Sequence, residues 1–284
     1  MSPFEQAADV LRLPFGGGDR KGFRAAQISA AHAISAHFWA STRPALVVMP
    51  TGSGKTAVIQ LACILLRARR VLVVTPSRML REQVADKFRT FDPLIGLGAL
   101  DEGTALPLVH EVVNRPSEIA AWAKLDGVHV VLATPSAISP KLKEVVPPPK
   151  DFFDLVIFDE GHHAPAPTYR AIAEAQPHAR VVLFTATPYR RDEQTIHGDL
   201  VFTYELDQAK RDGVFGKLRY VPVEAHDFAK TDEAIAKAVD GQFIKDRETG
   251  FRHSVMVRTS GRTRASELDK VYKAVTKLRL ARVD

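Results

Sequence analysis

The stretch "TGSGKT", residues 51–56, sets two glycines, a serine, a lysine and two threonines between an apolar run and a helical pattern. Glycines let a backbone curl until several N–H groups face one point. A helix starting there turns its positive end on the same point. That combination cradles phosphate. Thr51, Gly52, Ser53 and Gly54 would supply the loop, and Lys55 would reach β- and γ-phosphates. The Thr56 hydroxyl would ligate Mg²⁺. Met49 stands where the usual pattern has its first glycine. The second glycine, the lysine and the threonine do most of the cradling, so the departure carries little weight.

Three further stretches carry complementary chemistry. In "VIFDEGHH" (156–163) an apolar run delivers two adjacent acids. Asp159 can hold the Mg²⁺ and Glu160 can orient and deprotonate an attacking water. Adjacent histidines do not face one point, so His162 and His163 read poorly as metal ligands, and His162 suits a coupling role. In "TAT" (185–187), hydroxyls of Thr185 and Thr187 could bond to those acids and report the phosphate state. In "FRAAQ" (23–27), the Gln27 amide matches the N6 and N7 edge of adenine. Taken singly, an acid pair can be solvated, a Thr-rich end can be structural and a glutamine can lie on a surface; the set is what gives them force.

The elements that must position these residues are legible as periodicity. Residues 45–49, 71–75, 128–134, 153–159 and 181–187 are Val-, Leu- and Ile-rich without alternation. Strands buried on both faces of a parallel sheet read this way. Helical patterns lie between them, as at 55–67 and 78–89. The order predicts a doubly wound α/β domain with ligands beyond the carboxyl ends of its strands. Past residue 189 the chain is more polar, with one strand expected over 217–225 and one helix over 230–246. A fresh strand, turn and helix are expected from "RHSVMVRT" through "GRTRASELDKVYKAVTKL".

Composition sets broad bounds. The chain has 284 residues, 45% hydrophobic and 25% charged, as soluble globular proteins do. A net charge of +6 and a pI of 9.4 favour acidic partners such as nucleic acid, but only mildly. One cysteine, Cys63, allows no internal disulfide and no zinc site. It sits in an apolar run and reads as core. The first residues lack the pattern of a secretory signal, and no run approaches the ~18 apolar residues of a membrane span. These features lead us to expect a cytoplasmic protein with no membrane partner.

The motifs, in this order, resemble the nucleic-acid-dependent ATPases of helicase superfamily two, from about Phe23 to about Leu268. "FRAAQ" is similar to the adenine-reading glutamine motif, "MPTGSGKT" to the first motif, "DEGH" to the second in its DExH form, and "TATP" to the third. "TPSRMLREQ" and "ATPSAI" look like the two motifs that hold a nucleic-acid backbone, which implies roles for Thr75, Pro76, Arg78, Thr134 and Pro135. Hydroxyls and backbone N–H groups at strand ends can grip a sugar–phosphate chain without reading bases. "DEGHHAPAPTYRAI" and the stretch from "TATPYRRDEQ" to "KLRYVPV" resemble the restriction-subunit branch. The resemblance implies a RecA-like fold, ATP and Mg²⁺ as ligands, and a nucleic-acid partner, with duplex DNA favoured over RNA.

It also implies what to look for elsewhere. The family uses two RecA-like domains, and arginines of the second stabilise charge on the γ-phosphate, worth about 10³–10⁵ in rate. "SGRTR" holds Arg262 and Arg264, but at the place of the fourth motif, so the arginine role is not carried onto them. The expected organisation is a first RecA-like domain over 1–189, a connecting segment over 190–250, and a truncated start of the second domain over 251–284. The remaining domains or a partner subunit would supply the arginines. The last 33 residues hold nine Lys and Arg against three Asp and Glu, which fits either a nucleic-acid-facing strip or an ordinary surface. Three readings result: the first part of a DNA helicase or translocase, an ATP-gated nucleic-acid-binding module without turnover of its own, or an RNA helicase.

Overall fold

The computed structural model describes residues 1–16, 21–160, 166–186, 198–215, 222–224, 230–252 and 255–276. It divides into two units, Met1–Gly216 and Lys217–Asp284. The first is built on seven parallel strands: β1 (Ala45–Val48), β2 (Val71–Val74), β3 (Val109–Glu111), β4 (Val130–Ala133), β5 (Leu155–Phe158), β6 (Arg180–Thr185) and β7 (Asp199–Thr203). Their order across the sheet is β3-β4-β2-β5-β6-β1-β7. All pairs are parallel, so every carboxyl end opens on one edge.

Helices cover both faces. On one face lie α1 (Pro3–Val10), α2 (Ala25–Ala40), α3 (Lys55–Leu65) and α4 (Arg78–Thr90). They pack with Val47, Val73, Leu132, Ile157 and Phe184 in one core. On the other lie α5 (Ile119–Ala123), α6 (Pro135–Ile138) and α7 (Ala166–Glu174). Their Trp122, Ile138 and Ile172 pack with Leu46, Val74, Val131, Val156 and Leu183. Successive strand residues thus enter opposite cores, which is why β1, β2, β4 and β5 have no polar positions. Helix α8 (Leu206–Arg211) joins the first core through Ala209.

The five expected strands are present. The structure adds β3 and β7, the two edges of the sheet. Both are half exposed along their length, so neither presents a continuous apolar run. Strand β7 and helix α8 lie in the stretch read as a connection, yet β7 pairs with β1 and extends the sheet.

The second unit holds α9 (Thr231–Glu248), close to the helix expected there, and α10 (Arg262–Val275). Arg264 of α10 grips both carboxylate oxygens of Asp232 on α9, at 2.7 and 2.6 Å. Residues 255–259, expected as a strand, carry no strand pairing. A strand needs a neighbour, and among the described residues of this unit there is no other strand to supply one. The strand expected over 217–225 falls mainly outside the described residues, and 222–224 are not in a strand.

Candidate nucleotide site

The phosphate loop leaves β1 and ends at the first residue of α3. Gly54 caps that helix with φ +89°, and Gly52 has φ +84°. Both lie in the left-handed region that an L side chain resists. Ser53 is buried, and its hydroxyl donates to the Pro50 carbonyl at 2.7 Å, which closes the curl. The first turn of α3 carries no acidic residue, so no carboxylate of the helix itself offsets its N-terminal positive end. Lys55 and Thr56 are half-buried there.

The glutamine is placed against this loop. Gln27 is buried in the first turn of α2. Its Oε1 accepts from the Arg24 N–H at 2.9 Å, and its Nε2 donates to the Gly54 carbonyl at 3.2 Å. An amide has two donors and two acceptor sites, so one of each is left after these bonds. Arg24 is not singled out by the sequence, yet its guanidinium donates to the Ser53 carbonyl at 3.4 Å. The signal lies in "FRAAQ": an arginine three residues ahead of the glutamine shares its helix entry.

Strand β5 delivers the acids. The Asp159 N–H donates to the Val74 carbonyl at 2.9 Å, which anchors the residue to β2 as it leaves the sheet. Its carboxyl is buried and its Oδ1 has no hydrogen-bond donor among the described residues. Burial pushes its pKa up to about 6; Lys55 opposes this and Glu160 adds to it. Glu160 sits at φ +53°, again left-handed, and forms an ion pair with Lys55. Their side chains are only 13% and 10% exposed. A hard dication suits this set: an orphaned carboxylate oxygen on Asp159 and a hydroxyl on Thr56 are oxygen donors of the kind Mg²⁺ selects. Among the described residues, no cluster of three His, Cys, Asp or Glu side chains marks another metal site.

Thr185 ends β6, the strand between β5 and β1. It is buried, and its carbonyl accepts from the Met49 N–H at 2.9 Å, just before the phosphate loop. His162 and Thr187, expected to couple, lie outside the described residues.

The residues expected to hold nucleic acid lie on the other half of the same edge. Val74 pairs with Ala133, so Thr75 and Thr134 leave β2 and β4 side by side. The Thr75 N–H donates to the Ala133 carbonyl at 3.0 Å, and its side chain is buried. The Thr134 hydroxyl lies 3.1 Å from that of Ser136. Pro76 and Pro135 are half-buried, while Arg78 is exposed and bonds Glu82 at 2.8 Å. Ser77 caps α4 by accepting from the Leu80 N–H at 3.3 Å. Cys63 is buried and free, with its thiol pKa raised by burial.

A parallel sheet with a phosphate loop after β1, an acid pair after β5 and a threonine end on the strand between them is the RecA-like arrangement of helicase superfamily two. Within that class, the family model of the type III restriction enzyme res subunit matches residues 20–190, and the chain belongs to this family. It is 29% identical over 189 residues to a type I restriction enzyme EcoAI endonuclease subunit of Escherichia coli. That match takes in 63% of this chain and 21% of the relative, so the chain spans about a fifth of the relative's length. In fold it is similar to a fragment assigned as the HsdR subunit of a type I restriction enzyme from Vibrio vulnificus YJ016. The TM-score is 0.55 at 21% identity, over 96% of this chain and 48% of the other.

Proposed function

We propose that this chain binds ATP with Mg²⁺ and forms the first motor domain of a DNA translocase or helicase of a restriction or defence system. The observation that carries this reading is the convergence of Lys55, Glu160 and the buried Asp159 Oδ1, unpartnered among the described residues, beside a glycine loop at a helix start. Membership of a restriction-subunit family and likeness to restriction subunits support the biological setting.

Each residue of the site has its part. Backbone N–H groups of 52–56 and the start of α3 bind the phosphate chain. Gln27 offers its remaining donor and acceptor to adenine. Lys55 exchanges Glu160 for the β- and γ-phosphates, which frees the Glu160 carboxylate to orient the attacking water. Thr56 and Asp159 would hold Mg²⁺, which supplies charge neutralisation on the phosphate oxygens. Thr185, with Thr187 and His162, passes the state of this site on. Thr75, Pro76, Arg78, Thr134 and Pro135 hold the nucleic-acid backbone. Arg264 is engaged by Asp232 and by Glu267 at 3.2 Å, and on this reading the γ-phosphate arginine comes from the remaining helicase domains or a partner subunit.

The test is ATP turnover by the 284-residue chain with no nucleic acid, with duplex DNA and with RNA, beside Lys55→Ala. Stimulation by duplex DNA that Lys55→Ala abolishes supports the motor reading. Nucleotide-dependent DNA binding without turnover moves the reading to an ATP-gated binding module. Stronger stimulation by RNA moves it to an RNA helicase, and no nucleotide binding at all overturns it.

A further inference from the structure

The segment that closes the first unit returns to the phosphate loop. Strand β7 lies against β1, and just past it the Tyr204 N–H donates to the carbonyl of Val48, the last residue of β1, at 2.8 Å. Tyr204 is buried, and its hydroxyl donates to Asp212 at 2.8 Å, which fixes the far end of α8. The helix then stops in a defined way. Gly213 has φ +71°; its N–H donates to the Lys210 carbonyl at 3.1 Å, and the Val214 N–H donates to the Ala209 carbonyl at 3.0 Å. This paired closure turns the chain sharply and fixes where the next side chains go. Val214 and Phe215 both pack on the first core. A methyl group built on Gly52 would lie 3.6 Å from Cε1 of the Phe215 ring, the one contact within 4 Å that it would make among the described residues beyond its chain neighbours. The first unit ends one residue later, at Gly216.

We propose that Phe215 is a positioning residue for the phosphate loop, and that its ring senses whether the loop is occupied. Gln27 and Arg24 hold the loop at Gly54 and Ser53, and the Phe215 ring stands beside it at Gly52. Gly52 is exposed, and among the described residues beyond its chain neighbours no other atom would come within 4 Å of such a methyl. When phosphate draws the N–H groups of the loop inward, the surroundings of a ring beside Gly52 change with it. The inference rests on nucleotide binding at this loop.

The test uses the full chain and a fluorescent methylanthraniloyl-ATP with Mg²⁺. Phe215→Ala is expected to weaken binding about tenfold, and Phe215→Leu or Phe215→Trp to restore most of it, with the thermal midpoint measured for each. In a Trp39→Phe background, the emission of Phe215→Trp is expected to shift on saturation with nucleotide and to stay fixed when Lys55→Ala is added. If Phe215→Ala binds as the wild type does, or the new tryptophan is silent while calorimetry shows nucleotide bound, the inference is overturned alone. If the wild type binds no nucleotide, the reading of the site falls and this inference with it. Should Phe215→Ala fail to fold, the tryptophan response of Phe215→Trp decides.

Discussion

Replacing Gly54 by alanine tests how the glutamine and the phosphate loop are joined. The backbone there has φ +89°, and a side chain in the left-handed region costs about 1–2 kcal/mol. The new Cβ would also collide with Gln27 Nε2, the atom that donates to the Gly54 carbonyl. Gln27 must then swing away, and its buried amide and the Gly54 carbonyl lose their bond, costing about 1–3 kcal/mol more. Gly54→Ala should therefore destabilise the nucleotide-free chain by about 2–5 kcal/mol. With Gln27→Ala already present, the collision is gone and the backbone term of about 1–2 kcal/mol remains. The two substitutions should then be less than additive by about 1–3 kcal/mol. Urea unfolding followed by tryptophan emission reads this cleanly, because both tryptophans, Trp39 and Trp122, lie in the first unit. Additivity within about 0.5 kcal/mol, with unchanged m-values, would refute the contact between Gln27 and Gly54 as the source of the effect.

Other outcomes come from the same geometry. Asp159 has its folded pKa raised from 3.8 to about 6, so ionising it costs stability above pH 6, a cost relieved as pH falls through 6 and gone below 3.8. Asp159→Asn should thus make the nucleotide-free chain more stable than wild type by roughly 1–3 kcal/mol at pH 8, with the gap closing toward pH 4 in urea titrations, while ATP turnover is lost. Arg81→Met removes a buried guanidinium that binds Glu111 at 3.1 Å and the Val112 carbonyl at 3.0 Å. It should cost about 2–3 kcal/mol by thermal or urea unfolding, short of a full buried-pair loss because Arg89 still holds Glu111. Arg78→Ala breaks an exposed pair and should leave stability essentially unchanged. It should instead lower the salt slope of DNA binding by about 1, and an unchanged slope would remove Arg78 from the proposed interface.

Legibility in the sequence tracks burial. The five central strands announce themselves because residues such as Leu72 and Val73, adjacent in the chain, are buried in opposite cores and must both be apolar. The edges do not, because one side of β3 or β7 meets solvent: Leu200 and Thr203 are exposed, and "VHE" alone carries no periodic signal. The loop, the acids and the glutamine are legible because their chemistry restricts residue type. Gly52 and Gly54 need left-handed backbone, and Asp159 needs a strand to carry a charge into a buried place. Arg24 and Phe215 are not legible. An arginine bonding a loop carbonyl and a ring beside a glycine place no demand on nearby sequence; they exist only once α2 and the residues after α8 have packed on the first core.

The register of the sheet also says how the two halves of the site can communicate. On the proposed reading, Thr134 and Thr75 touch nucleic acid while Asp159, Glu160 and Lys55 handle phosphate. Thr75 is bonded through its N–H to Ala133, and Asp159 through its N–H to Val74, so one backbone bond separates each strand end from the next. Met49 is bonded to Thr185 in the same manner. Those bonds lie in a buried parallel sheet whose close packing leaves little room for sliding. Movement must therefore sit just beyond the strands: in the glycine loop after β1, the left-handed turn at Glu160 after β5, and the start of α4 after β2. Each strand end is then a fixed pivot, and these turns are the parts that respond. On the proposed reading Lys55 is the side chain that changes partner, from Glu160 to phosphate, and it stands on the helix that begins at the loop. A substitution within β2 or β5 should lower stability without changing how nucleotide alters DNA affinity. One at Glu160 or Gly52 should leave the sheet intact and alter that coupling, which titrations of labelled duplex with and without nucleotide would separate.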